Sequence, residues 1–436
     1  MPRWFAILLL VVLGLAAAAF ALGRPYSRKP LEDFVAAEKK AGRPTTIRAA
    51  IGPDPAAEEN GAPALTAAAR EFDQRAGDDS TWGVVGPWKN DGDRPWFETA
   101  TPEELAALGR FVDAQRPFFD GVAAALAKPR LQNEVQRGTA GEPESDDVMT
   151  RVRIIHLLTA RAVAASSPRD RLDSIVLLAT LASRFESATM IDEMVAALAM
   201  RDALTAMRCS VVRGDVDVAA ARERLDPLLR MEKLPHFPEI VRRERVWLIE
   251  TLMASPTYPP PHFMDGEHFL DRLIGRVRAV IDGPATPTGS PEDVAEGMRA
   301  VASLESLPVT NYARLAADLR AAADGHGEGT SARLMVGNYV RLAEALAQTD
   351  AAQRLARIAL AAAAHRARTG ALAASLDDLR DALGGDAPLD PYTGAAFDFA
   401  ATPDGLRVAT DGRLPGTAAP SETRFSGAPL GWELKR

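Results

Sequence analysis

The densest run of side chains able to do acid–base or metal chemistry is His262-Phe263-Met264-Asp265-Gly266-Glu267-His268-Phe269-Leu270-Asp271. On a helix starting near Gly266, His268 and Asp271 share a face, because residues three apart are neighbours on a helix surface. An imidazole beside carboxylates can ligate a divalent cation or move a proton in hydrolysis. The spacing is not His-Glu-x-x-His, however, and acids at a helix start also suit an ordinary solvated N-terminus, whose dipole favours negative charge. An envelope hydrolase or metal-dependent enzyme using His262, Glu267, His268 and Asp271 is therefore the alternative reading, and the leading one has no catalytic site.

Other motifs carry less. Gly325-His326-Gly327-Glu328-Gly329 could present backbone N–H groups to an anion, but it follows a helix rather than a strand and has no Lys-Ser/Thr, so it reads as an interhelix loop. Cys209, among Leu204, Met207, Val211 and Val212, reads as an apolar packing residue rather than a nucleophile. Asn90-Asp91-Gly92-Asp93 lacks the downstream glutamate of a calcium loop, and no Gly-x-Ser-x-Gly is present. Trp82, Trp88 and Trp96 punctuate a Gly/Pro-rich loop at 78–97. They are expected to pin that loop onto neighbouring helices, with a ligand or partner surface as the functional reading. No catalytic, cofactor-binding or metal-binding residue is assigned, and no cofactor is implied.

Composition sets the frame for these residues. The chain has 436 residues, 47% hydrophobic and 25% charged, which excludes simple disorder. A net charge of -8 gives no basic footprint for phosphate backbones, so nucleic acid is not an expected partner. One cysteine and six scattered histidines supply neither an internal disulfide nor a recognisable zinc spacing.

From Phe5 to Leu22 runs an eighteen-residue stretch without a charge, flanked by Arg3 and by Arg24, Arg28 and Lys29. That length suits one bilayer crossing, which needs about 17 to 25 apolar residues. Ala19-Phe20-Ala21 is also a cleavage-like site, so residues 1–29 read as a membrane anchor or signal segment, with the uncleaved anchor favoured. The basic residues after the stretch argue for a cytoplasmic body by the positive-inside rule, whereas the signal-like architecture argues for export. Export is the expectation.

The body is read as a set of helices because hydroxyl caps with Pro or an acid in the first turn recur at Thr101, Ser167, Ser290 and Ser375. Apolar residues then follow at helical spacing, as with Ile191, Met194, Val195 and Leu198. The spacing predicts helices at 30–41, 63–76, 102–128, 147–165, 169–185, 188–212, 216–231, 237–254, 266–281, 291–305, 310–323, 330–348 and 351–369. No fixed period relates them, so a regular solenoid is not expected. Pro/Gly-rich breaks at 256–261 and 282–291 set off a segment at 256–349 from a helical body at 30–255.

After residue 350 the pattern changes. A long helix ends at Gly370, Ser375-Leu376-Asp377-Asp378-Leu379 starts a short one, and Asp390-Pro391-Tyr392-Thr393-Gly394 forms a turn. Ala396–Phe399 and Leu406–Ala409 follow as strands around Pro403-Asp404-Gly405, ending at Thr410-Asp411-Gly412. Tyr392, Phe397, Phe399 and Val408 are expected to hold this hairpin against Leu355 and Ile358. The ordered pattern, about 65 residues, resembles the C-terminal module of type II secretion pseudopilins and of bacterial membrane-anchored proteins that end in a similar piece. The Gly-Phe-Thr-Leu-Glu-like start of a pseudopilin is missing, and Leu372-Ala373 stand where Tyr-Pro is usual, so fibre assembly is not implied. The resemblance implies a small α+β domain and an exported location. Pseudopilin modules can also hold calcium in the C-terminal loop, which Asp386, Asp390 and Asp398 could in principle do here, although acids at such turns more often act as caps.

The expected fold class is mainly α: an N-terminal transmembrane helix, an irregular multi-helix body and a small C-terminal α+β module with a β-hairpin, the module and tail covering 350–436. The expected function is that of a single-pass inner-membrane protein of the bacterial cell envelope. Its body is extracytoplasmic, its role is interaction or structure, and its partners are the membrane and other envelope proteins.

Overall fold

The computed structural model describes residues 28–76, 100–132, 145–254, 290–402, 405–410 and 431–435, except 54, 187, 188, 215, 308, 310 and 329. The apolar stretch at 5–22, the Trp-rich loop at 78–97, the helix expected at 266–281 and the His262–Asp271 run lie outside the described residues.

Fourteen α-helices are present among the described residues. The first five are α1 (Lys29–Lys40), α2 (Ile47–Ile51), α3 (Ala62–Ala76), α4 (Pro102–Ala114) and α5 (Arg116–Leu126). Next come α6 (Ser145–Ala164), α7 (Pro168–Arg184), α8 (Met190–Arg213), α9 (Val218–Leu229) and α10 (Phe237–Ala254). The last four are α11 (Pro291–Leu304), α12 (Tyr312–Asp324), α13 (Ser331–Thr369) and α14 (Arg380–Leu383). Two-residue strands β1 (Leu131–Gln132) and β2 (Phe185–Glu186) pair in parallel, and β3 (Asp398–Thr402), β4 (Gly405–Ala409) and β5 (Gly431–Lys435) form an antiparallel sheet. No helix among the described residues is long and apolar enough to cross a membrane.

The capping residues do the work their chemistry suggests. Thr101 Oγ1 accepts from Glu104 N–H at 3.2 Å while the Glu104 carboxylate accepts from Thr101 N–H at 2.7 Å. This reciprocal pair satisfies two donors that a helix start leaves open. Ser290 accepts from Asp293 N–H at 3.1 Å, and Ser375 from Asp378 N–H at 3.4 Å. Thr189 and Asp192 make the same reciprocal box at the start of α8.

Two helical readings change. The single helix expected at 102–128 is α4 and α5, broken at Gln115 (φ -92°, ψ 20°), two residues before Pro117. Pro117 has no N–H to donate to the preceding turn and its ring crowds the carbonyl four residues back, so it is accommodated at the start of a new helix rather than inside one continuous helix. Conversely, the helices expected at 330–348 and 351–369 are one continuous 39-residue helix, α13, closed by Gly370 at φ 76°. At about 1.5 Å per residue it is about 58 Å long, and position 350 lies inside it.

Burial divides the interior into three packed clusters. The largest joins α3 to α9 with the second half of α13 and the β3–β4–β5 sheet. The second is built from the first half of α10, the end of α11, α12 and the first half of α13. The third packs Leu31, Phe34 and Val35 of α1 against Leu248, Ile249 and Leu252 of α10 and Val294 and Met298 of α11. Because α13 contributes to the first two, it ties the C-terminal module to the body without a hinge between them.

The C-terminal hairpin pairs Phe399 with Val408 and Thr402 with Gly405, and β5 adds a third strand in which Trp432 faces Val408. Phe397 and Val408 share a cluster with Leu355 and Ile358, and Phe399 packs partly buried against it. Tyr392 does not join them, because it sits in the second cluster with Tyr312 and Tyr339. The Asp390–Gly394 turn points its ring toward α12 rather than toward the hairpin.

Candidate functional site

The described residues whose near-complete burial raises their titration gather at two places, both on the seams of α13. The first joins the body to the C-terminal module. Asp350, in the middle of α13, accepts from the Tyr312 phenol at 2.7 Å and from Lys233 N–H at 3.2 and 3.3 Å. Burial drives its carboxyl up to about 6, and these donors pull the other way. Burial also pushes the Tyr312 phenol well up, reinforced by the Asp350 charge. One turn on, Arg354 donates to Leu389 O at 2.7 Å and to Glu232 at 2.7 Å, and Arg230 donates to Leu383 O at 3.1 Å.

The module answers with a self-closed turn. Asp390 Oδ1 accepts from Tyr392 N–H at 2.8 Å, its Oδ2 from Thr410 Oγ1 at 2.6 Å, and its carbonyl from Gly394 N–H at 2.7 Å. Gly394 takes φ 72°, which a side chain would resist. Asp390 is thus committed to holding the turn. Asp386 pairs with Arg380 at 3.0 Å, Asp398 is exposed on β3, and among the described residues no group of three potential ligands gathers for a metal ion.

The second place is where α1, α10, the end of α11 and α13 meet. The Arg245 guanidinium, fully buried, bridges the carboxylates of Glu38 and Glu305, and Glu38 is shared with Arg43 at 2.9 Å. Neighbouring Glu244 is pushed up to about 7 by burial, against the pull of Met190 N–H at 2.7 Å. The Tyr339 phenol, raised well above its usual range by burial, lies within the field of Glu244 and Glu305. The contacts of these carboxyl groups are to the protein itself. The centre is a lock between helices.

Open concavities are shallower. A groove of about 310 Å³ lies between α3 and α5, walled by Ala64, Ala67, Ala68, Phe118 and Gly121, with Glu71 and Lys128 among its lining. A pocket of about 10 Å³ beside Lys233, Glu193, Thr349 and Gln353 has room for about one water molecule.

Of the candidates read from sequence, His262, Glu267, His268, Asp271, Trp82, Trp88 and Trp96 lie outside the described residues. His326 sits in the turn between α12 and α13 with Nδ1 3.7 Å from Glu296, where Thr330 caps α13 through Arg333 N–H. Cys209 is half-buried against the largest cluster. Asp350, Glu244 and Arg245 do not stand out in the sequence, because each lies inside a helix and its partners are tens of residues away. The only local signal is a charge on an otherwise apolar helical face.

Comparison with protein-family models, curated proteins and solved structures returned no match.

Proposed function

We propose that this chain is a membrane-anchored structural or interaction protein of the bacterial cell envelope, with its body on the extracytoplasmic side and a C-terminal module resembling that of pseudopilins. The observation that carries this reading is α13. One 39-residue helix contributes to the second cluster with its first half and to the largest cluster and the C-terminal sheet with its second. Its buried polar groups, Asp350 above all, are used in joining the parts. Such a beam holds the small domain at a fixed place on the helical body, as a scaffold requires. The uncharged stretch at 5–22 supports the anchor by its length. Contacts with other envelope proteins belong to the same reading.

Membrane fractionation with mild crosslinking tests it. The full chain should remain in the membrane pellet after an alkaline wash and carry defined crosslinked partners. A soluble chain with a mature N-terminus near Leu22 would overturn the anchor. Alkaline phosphatase fused after Arg436 should be active, and a fluorescent reporter that folds only in the cytoplasm should stay dark at the same position. The reverse pattern would place the body in the cytoplasm.

A further inference from the structure

Three helices define the end of the body that carries Arg28, the residue leading back in sequence to the apolar stretch. Glu38 of α1 meets Arg245 of α10, whereas Leu31, about two turns earlier in α1, shares its cluster with Leu248 and Leu252, later in α10. The two helices therefore run in opposite directions. Glu305, just after α11, meets Arg245, while Val294 and Met298 belong to the Leu31 cluster, so α11 runs with α1. The start of α13 joins the start of α11, where Ser331 N–H donates to Asp293 at 3.0 Å. One end of the molecule thus collects the starts of α1, α11 and α13 and the finish of α10.

The sequence limits how far this end can stand from a bilayer. Five residues, Gly23 to Ser27, separate Leu22 from Arg28, and fully extended they span at most about 18 Å. Beyond them α1 is no free tether, since Leu31, Phe34 and the buried Glu38–Arg245 pair clamp it on the body. The same end carries Leu334, 60% exposed on the first turn of α13, and the exposed Lys29.

We infer that this end, marked by Lys29, Glu292 and Leu334, lies against the lipid bilayer, and that α13 rises from it to hold the C-terminal module away from the membrane. The inference rests on the anchored reading and adds an orientation to it. The packed part of the module meets α13 from Leu355 onward, 24 residues above Ser331, or about 36 Å along the helix axis.

The test uses the full chain in lipid nanodiscs, on a Cys209→Ser background, with single fluorophores on Lys29→Cys, Glu292→Cys or Asp386→Cys. Quencher-bearing lipids should reduce emission at positions 29 and 292 several-fold more than at 386. Equal quenching at all three, or the strongest at 386, in chains that co-elute with the discs would overturn the orientation while leaving the anchor intact. Chains that fail to co-elute with the discs would overturn the anchor and the orientation with it.

Discussion

The Tyr312 phenol and the Asp350 carboxylate meet at 2.7 Å, joining the start of α12 to the middle of α13 at a carboxyl group only 1% exposed. Burial raises Asp350 from 3.8 to about 6, so the folded state holds a proton that the unfolded state has released across that interval. Its contribution to stability is fully present below about pH 4 and is lost as pH rises to about 6. A displacement of about two pH units corresponds to about 3 kcal/mol. Glu244, raised from 4.5 to about 7, acts in the same direction between those values. Asp350→Asn keeps an acceptor for Tyr312 and removes the titration. Its stability relative to the parent, measured by urea unfolding, should therefore rise by up to about 3 kcal/mol between pH 4 and pH 7.5. Parallel curves would show that the carboxyl does not titrate on folding.

That same residue explains why one helix reads as two in the sequence. A polar Thr349-Asp350 pair between two apolar stretches looks like a break, because an unpaired buried carboxylate is expensive. The helix continues because Thr349 donates back to Ala345 O at 2.9 Å and Asp350 finds partners 38 and 117 residues away. Long-range satisfaction of this kind leaves no local trace. Helix starts are different, since a cap and its acid lie within four residues, and Thr101, Ser290 and Ser375 can be read directly. The break at Gln115 is also legible, from Pro117, but alanine and phenylalanine periodicity across 102–128 masks it.

Arg245 tests the lock between α1, α10 and α11. Among the described residues, Arg245→Ala leaves Glu38 with only Arg43 and Glu305 with only Arg242 at 3.7 Å, both carboxylates being largely buried. Removing one partner of a buried pair typically costs about 3–5 kcal/mol. Arg314→Ala, which breaks the exposed pair with Asp318, should cost under about 1 kcal/mol. Chemical denaturation of the two variants should separate them by several-fold, and equal losses would remove the special standing of Arg245.

Gly109 sets the spacing of α4 and α6. A Cβ there would stand 2.4 Å from Ala164 O, a backbone atom that can move only with its helix. Helix propensity favours alanine by about 1 kcal/mol, while overpacking typically costs about 1–3 kcal/mol. With a rigid neighbour the clash wins, so Gly109→Ala should be destabilising. Gly337→Ala, where a Cβ meets nothing within 4 Å on α13, should be stabilising by up to about 1 kcal/mol. Thermal melts of the pair should move in opposite directions.

The third strand of the C-terminal sheet gives the last prediction. A two-stranded hairpin is marginal in water, and the sequence alone offers only the helix contact to hold it. The structure adds β5, where Gly431-Trp432-Glu433-Leu434-Lys435 follows twenty residues carrying Pro415, Pro420 and Pro429, a setting that hides a short alternating strand. Trp432 is 1% exposed and opposes Val408, so its ring covers the face of the hairpin that packs on α13. Trp432→Ala should cost about 3–5 kcal/mol as a buried aromatic lost to a cavity. Trp432→Phe should cost less, because it keeps most of the apolar contact and removes an indole N–H that has no hydrogen-bond partner among the described residues. Amide exchange should then show strands β3 and β4 losing protection in the alanine variant while α6 and α7 keep theirs. If β3 and β4 stay protected without the tryptophan, β5 is an accessory to the module rather than part of its core.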